Sequence, residues 1–163
     1  LKDGNGNMQV ETRRCLIRSF CPEDAAALHQ VLSNDEVMRY IEPVFTLEQT
    51  QEFIQKYGLS SSPLVYALHY KPENRLIGHV IFHPFDHTAY EIGWILHRDY
   101  WGIGIADEVT KALITHAKQL GISACIIECS REQAASKQLA LKNGFQLFAE
   151  ENDLLCYRLE INK

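Results

Sequence analysis

Residues 64–70, 75–82 and 89–96 are three short runs dense in Val, Ile, Leu, Tyr and Phe, separated only by Lys71-Pro72-Glu73-Asn74 and by residues 83–88. Strand-like runs joined by short turns predict an antiparallel meander. Upstream, residues 14–20 alternate apolar and polar and predict a first strand. Cys21-Pro22-Glu23-Asp24 follows; Pro suits a first helical turn, and acids there complement the helix dipole. Ala25, Leu28, Val31 and Leu32 then recur at helical spacing as far as Ser33-Asn34. A second short helix is predicted over 36–41, ended by Pro43. Thr46 and Gln49 have the spacing of a capping box, opening a helix that carries Phe53, Ile54 and Tyr57. Gly58 and the run Ser60-Ser61-Ser62-Pro63 stop it.

Beyond residue 96 the pattern changes. Residues 97–104 read as a loop with two glycines, and over 105–120 Ala106, Val109, Ala112, Leu113 and Ala117 fit one helix, ended by Gly121. His116 lies late in this helix and is expected at the surface. Residues 123–129 form a continuous apolar strand with one acid, Glu128; 133–142 is another helix, closed by Asn143-Gly144. Residues 145–149 and 154–161 read as a final hairpin. This order predicts an α+β (mixed α/β) fold on a largely antiparallel sheet. No repeat or linker interrupts it.

Composition narrows the function classes. At 163 residues the chain is one domain, 8–163, preceded by a polar stretch, 1–7, expected to be a tag remnant or disordered tail. A net charge of −5 argues against a nucleic-acid partner, which needs a basic face. No apolar run reaches the ~18 residues of a membrane span and no signal peptide is visible, so the expected location is cytoplasmic, with no membrane partner. The five cysteines, Cys15, Cys21, Cys125, Cys129 and Cys156, form no CxxC pair and read as reduced, partly buried thiols.

The most informative stretch for chemistry is 91–108, a strand running into a glycine loop that opens an amphipathic helix. Such a junction points free N–H groups and the positive helix end at one spot, which suits a pyrophosphate. Gly102 and Gly104 allow close backbone approach. Many such junctions carry Gly for turn geometry alone, so spacing leaves both readings open. Glu91 and Glu128 sit inside core strands, where carboxylates seldom go unpaired; each is either a functional base or a structural acid. His79, His83 and His87 recur every four residues, but on a strand that spacing is about 13 Å, too far for one ion, so no metal is expected.

Trp101-Gly102-Ile103-Gly104-Ile105-Ala106 resembles the GNAT acyl-CoA signature, with Trp101 at its Gln/Arg place as in the RimJ/RimL-like branch of ribosomal-protein N-terminal acetyltransferases. Leu16-Ile17-Arg18 with Glu23-Asp24-Ala25, Asn34 to Tyr40, Leu76-Ile77-Gly78, Tyr90 to Trp94, and Ser136 through Lys142-Asn143-Gly144-Phe145 are similar to other segments of that branch. The resemblance runs from about 14 to 148. It implies a GNAT-like sheet splayed between its fourth and fifth strands, 89–96 and 123–129, with the pantetheine arm in the opening. It implies acetyl-CoA as acyl donor, bound by Trp94, Ile95, Leu96, Trp101, Gly102, Ile103, Gly104, Ile105, Ala106, Gln133, Ser136 and Lys142. Glu91, Glu128 and Ser136 are the candidate catalytic residues, the acids as base and Ser136 toward the CoA sulfur.

The chain departs from the family at two places: Gln133 stands where an Asn is common, and Ala140 where many members carry a Tyr acid. The implied reaction is direct acetyl transfer in a ternary complex to an amine, whether a protein N-terminus, a polyamine or a small molecule. A non-catalytic acyl-CoA-binding module is the alternative. The expected assembly is a monomer or homodimer. Glu42 and the acidic turn Glu150-Glu151-Asn152-Asp153 are candidates to attract a cationic amine.

Overall fold

The strands are β1 Gln9–Glu11, β2 Cys15–Arg18, β3 Val65–Tyr70, β4 Arg75–Pro84, β5 Ala89–Leu96, β6 Ala124–Ser130, β7 Gln146–Glu151 and β8 Leu154–Glu160. In the computed structural model, which describes residues 8–162, they form one sheet in the order β1-β2-β3-β4-β5-β6-β8-β7. The tail expected over 1–7 lies outside the described residues. Every neighbouring pair is antiparallel except β5 and β6, which run parallel. The meander read from 64–96 is present as β3, β4 and β5. The three residues of β1 are an addition, too short for alternation to announce.

The helices are α1 Ala25–Leu32, α2 Asp35–Met38, α3 Leu47–Phe53, α4 Ile105–Gln119 and α5 Ala134–Lys142. α3 begins on the anticipated capping box: Gln49 N–H donates to Thr46 Oγ1 at 3.1 Å and Thr46 N–H to Gln49 Oε1 at 2.8 Å. It runs into one π turn, Ile54–Gly58. The first three helices cover one face of the sheet, burying Leu28, Val31, Leu32, Met38 and Ile54 against Val65 and Ala67. On the other face α4 and α5 bury Ile105, Val109, Leu113, Ala117 and Ala140 against Ile77, Val80, Phe82 and Ile127. Strands β3, β4 and β5 are therefore covered on both faces. Among the described residues no helix is long and apolar enough to cross a membrane.

His116 corrects the sequence expectation. It is 2% exposed, and its ring lies 5.2 Å from that of Phe82. Val109, Leu113 and Ala117 define the inward stripe of α4, and His116, seven residues after Val109, falls on it. Of the cysteines, Cys15, Cys125, Cys129 and Cys156 are buried and Cys21 is exposed; all five are free thiols. Burial raises the thiol pKa of Cys125 to about 12.

Two features of β4 and β5 shape the site. Leu68 pairs with Gly78 and His69 with Leu76, so Ile77 is the extra residue of a bulge. At Gly78 a Cβ would stand 1.9 Å from the carbonyl oxygen of Ile95, so only glycine fits. On the far side of β5, pairing with β6 is confined to Ala89↔Ala124, Tyr90↔Cys125 and Glu91↔Ile126. From Ile92 onward the two strands diverge. This is the splay that the resemblance implied.

Candidate active site

The hydrogen-bond alternation of β5 decides what the splay offers. Phe85 N–H donates to Ala89 O at 2.9 Å and His97 N–H to Ile77 O at 2.7 Å. Antiparallel residues alternate between bonded and non-bonded pairs, so the odd-numbered residues of β5 spend their backbone groups on β4. The even-numbered ones turn toward β6, and beyond Glu91 β6 is gone. The N–H groups of Trp94 and Leu96 thus face the opening, whereas Ile95 contributes its side chain. Trp101 Nε1–H donates to Leu96 O at 3.0 Å, which ties the glycine loop to the end of the strand.

That loop opens α4. Gly102 and Gly104 have φ of 75° and 86°, left-handed values that favour glycine, and Gly104 is the N-cap. The N–H groups of Ile105, Ala106 and Asp107 begin the helix without an intrahelical acceptor. Arg14 braces the loop from β2's side, donating from Nε to Glu108 Oε1 at 2.8 Å and from a terminal nitrogen to Ile103 O at 3.0 Å. Glu108 also accepts from Thr12 Oγ1 at 2.6 Å and from Arg14 N–H at 2.8 Å. These partners hold its carboxyl below the usual range, against the opposing effect of burial.

A cleft of ≈480 Å³ runs along this surface, lined by Trp94, Ile95, Leu96, Trp101, Gly102, Gly104, Ile105 and Ala106 from the loop side, and by Gln133 and Ser136 from α5. Ten of the expected donor-binding residues are therefore brought together. Ile103 and Lys142 are outside that lining: Ile103 turns its side chain out at 47% exposure, and Lys142 sits 3.6 Å from Asp107. Gln133, where the family commonly has Asn, spends its carboxamide oxygen on Ser130 N–H at 2.7 Å, leaving its amide N–H groups for a ligand. Ala140, at the family's Tyr position, is fully buried in the core and faces away from the cleft.

The cleft continues into the splay. Glu91, Glu128, Ser136, Gln133 and Trp94 line one cavity there, so the three candidate catalytic residues meet. Glu91 lies 3.5 Å from His83 Nε2 across β4 and β5. Burial raises its pKa, His83 opposes that, and the Glu128 charge adds to it. His83 Nδ1 contacts Pro84 O at 2.9 Å. On the side away from the cleft, Glu91 and His83 open into a groove with Glu42, Glu52, Phe45, Phe53 and Tyr57. The other acidic candidate is occupied: Arg131 pairs with Glu150 and lies 3.7 Å from Asp153. The sequence spacing argued against the histidines as metal ligands but gave no notice that His83 stands beside Glu91; that contact depends on the register that pairs His83 with Glu91 across β4 and β5.

Fold and site together define an acyltransferase that draws its acyl group from a CoA thioester. Residues 14–146 match the Acetyltransferase (GNAT) domain, and the chain belongs to that family. It is an acyl-CoA-dependent N-acetyltransferase. It is 32% identical over 143 residues to the uncharacterized N-acetyltransferase YnaD of Bacillus subtilis, covering 85% of this chain and 83% of that one. It is 39% identical over 79 residues to the ribosomal-protein-serine acetyltransferase of Escherichia coli, 46% of this chain and 44% of that one. The crystal structure of a GNAT-family acetyltransferase from Bacillus anthracis superposes with a TM-score of 0.86 at 28% identity, covering 94% of this chain and 98% of that chain.

Proposed function

We propose that the chain acetylates a primary amine by direct attack in a ternary complex, with Glu91 as the general base. The observation that carries this is the place of Glu91, which lines both the splay cavity and the groove on its far side and has a raised pKa. A base poised nearer neutrality is better matched to taking a proton from an ammonium group. Acetyl-CoA supplies the electrophile, its thioester carbonyl. The loop of Gly102 and Gly104 with the first turn of α4 fits its pyrophosphate, and the apolar walls of the cleft fit its pantetheine arm.

The amine gives up a proton to Glu91. Its nitrogen then bonds to the carbonyl carbon, the C–S bond breaks, the sulfur departs with the electron pair, and the excess proton on the acylated nitrogen goes to the thiolate, which leaves as the CoA thiol. The N–H groups of Trp94 and Leu96 stabilise the negative charge that gathers on the carbonyl oxygen. Ser136 is the side chain on α5 disposed to meet the departing sulfur, and its hydroxyl donates to the thiolate. A thiolate is itself a good leaving group, so the absence of a Tyr at Ala140 is tolerable. Glu128 acts through its charge on Glu91.

Calorimetric titration with acetyl-CoA and with CoA tests the donor site. Micromolar binding by the wild type and at least ~10-fold weakening in Gly104→Glu, a residue with φ of 86° at the helix entrance, is the expected result. Equal binding in both proteins would remove the phosphate role of the loop. Intact mass spectrometry after mixing with acetyl-CoA alone is expected to show no acetyl-enzyme; a stable +acetyl species at stoichiometric yield would replace direct attack by a covalent route.

A further inference from the structure

Behind the groove lies a smaller chamber of ≈140 Å³, walled by Leu32, Met38, Phe45, Phe53, Val65 and Ile81. Glu42, Phe45, Phe53, Val65 and Ile81 line both spaces, so the chamber is the inner end of the groove that starts at Glu91. Ile95 lines the chamber, the splay cavity and the donor cleft alike, and Ile41 and Ile81 also line both the chamber and the splay cavity, so the chamber adjoins the splay.

The wall contains one deeply buried polar side chain, His79. It is 4% exposed, its Nδ1 has no hydrogen-bond partner among the described residues, and Phe53 stands against its ring at 5.1 Å. Burial drives its pKa down to about 4, so the imidazole is neutral near pH 7 and brings no charge to the chamber. Glu42, the one carboxylate in the chamber's lining, is an exposed residue shared with the groove, so an ammonium group at the buried end, among His79, Leu32 and Met38, would be desolvated at large cost. The outer groove has the opposite character: three carboxylates, Glu42, Glu52 and Glu91, outnumber its one lysine, Lys56, which lies over the Tyr57 ring. One end of this site suits a cation and the other an uncharged apolar group. An apolar cavity of about 150 Å³ is large enough for benzene, which sets the size of the occupant.

We infer that this chamber is the acceptor-selectivity pocket, and that the acceptor is a primary monoamine whose other end is a compact apolar ring or branched alkyl group. The inference rests on the reading of Glu91 as the base that receives the amine. The nitrogen of such an amine becomes acylated as described above, and its apolar end remains unchanged in the chamber.

The test is acetyl-CoA turnover, read as thiol release, with 2-phenylethylamine, 3-methylbutylamine, ethylamine, putrescine and a Ser-terminated peptide. The expected kcat/KM for the first two exceeds that for ethylamine and putrescine by at least ~10-fold, the scale on which apolar pockets discriminate. Val65→Phe, which fills the chamber, is expected to lower kcat/KM for 2-phenylethylamine ~10-fold more than it lowers kcat/KM for ethylamine. Should that variant not fold, Phe53→Ala enlarges the chamber and should shift preference toward 2-naphthylethylamine. Preference for putrescine or for the Ser-terminated peptide would overturn the inference, as would equal loss for all amines in Val65→Phe. Titration of 2-phenylethylamine into wild type and Val65→Phe without acetyl-CoA reads the chamber separately from turnover. Binding abolished by the substitution supports it; binding unchanged by it, or none at millimolar amine, overturns it. Failure to bind acetyl-CoA would instead strike at the donor-site reading.

Discussion

His83 Nε2 lies 3.5 Å from Glu91 Oε1, and its Nδ1 is 2.9 Å from the carbonyl oxygen of Pro84. A carbonyl only accepts, so Nδ1 carries the hydrogen. Nε2 is therefore the ring nitrogen that His83 turns toward Glu91. The histidine is a positioning partner for the carboxylate.

The pH profile follows from that pair. Glu91, with its pKa raised, must lose its proton to act as base, so kcat/KM is expected to rise with pH through an acid limb. Charge on His83 lowers the Glu91 pKa and charge on Glu128 raises it. His83→Gln should move the limb to higher pH and Glu128→Gln to lower pH, while Glu91→Gln should cost on the order of 10²-fold or more in kcat. Limbs that do not move in opposite directions would exclude Glu91 as the titrating base. The amine's own ionisation is the same in all three variants and cancels.

Arg14 and Glu108 join β2 to the start of α4 through a contact at 2.8 Å. Glu108→Gln leaves the shape and removes the charge that Arg14, Thr12 and the Arg14 N–H share. The pair is partly exposed, so roughly 1–2 kcal/mol of stability is at stake. A thermal melt should fall by roughly 2–8 °C. Acetyl-CoA affinity should weaken as well, because Arg14 also holds Ile103 O in the glycine loop. A melt that falls with unchanged affinity would reduce the brace to a purely structural contact.

Two glycines in neighbouring strands should respond differently to one added methyl. At Gly78 the Cβ meets the backbone oxygen of Ile95 at 1.9 Å; at Gly93 the nearest atom is the flexible end of Ile81 at 3.2 Å. Gly78→Ala is expected to cost on the order of 3–5 kcal/mol or to abolish folding, and Gly93→Ala to yield a folded protein. Circular dichroism and denaturant melts of both variants compare them directly.

Much of this molecule was readable in advance because its determinants are local. The meander, the capping box of Thr46 and Gln49, and the long helix after Gly104 each announce themselves within a dozen residues. The resemblance supplied the splay and assembled Glu91, Glu128 and Ser136. What stayed hidden depends on partners far apart in the chain. Glu108 meets Arg14 across 94 residues. Phe53 meets His79 only because the first three helices fold back over the meander. The acceptor chamber draws its walls from α1, the stretch 38–45, α3, β3, β4 and β5, and no spacing rule records that meeting. His116 is a different case: its inward place was encoded in the stripe of α4, and a polar residue type concealed it.

The seam of three residue pairs between β5 and β6 has a mechanical consequence. Two half-sheets, each well bonded within itself, share only that short line of backbone contact within the sheet. A donor lying in the opening touches both halves at once and so acts as a rivet. Its binding free energy should then appear as resistance to separation of the halves, with the melting temperature climbing with donor concentration. Amide exchange should slow most at Trp94 and Leu96, whose N–H groups face the opening, and least along the odd-numbered residues already bonded to β4.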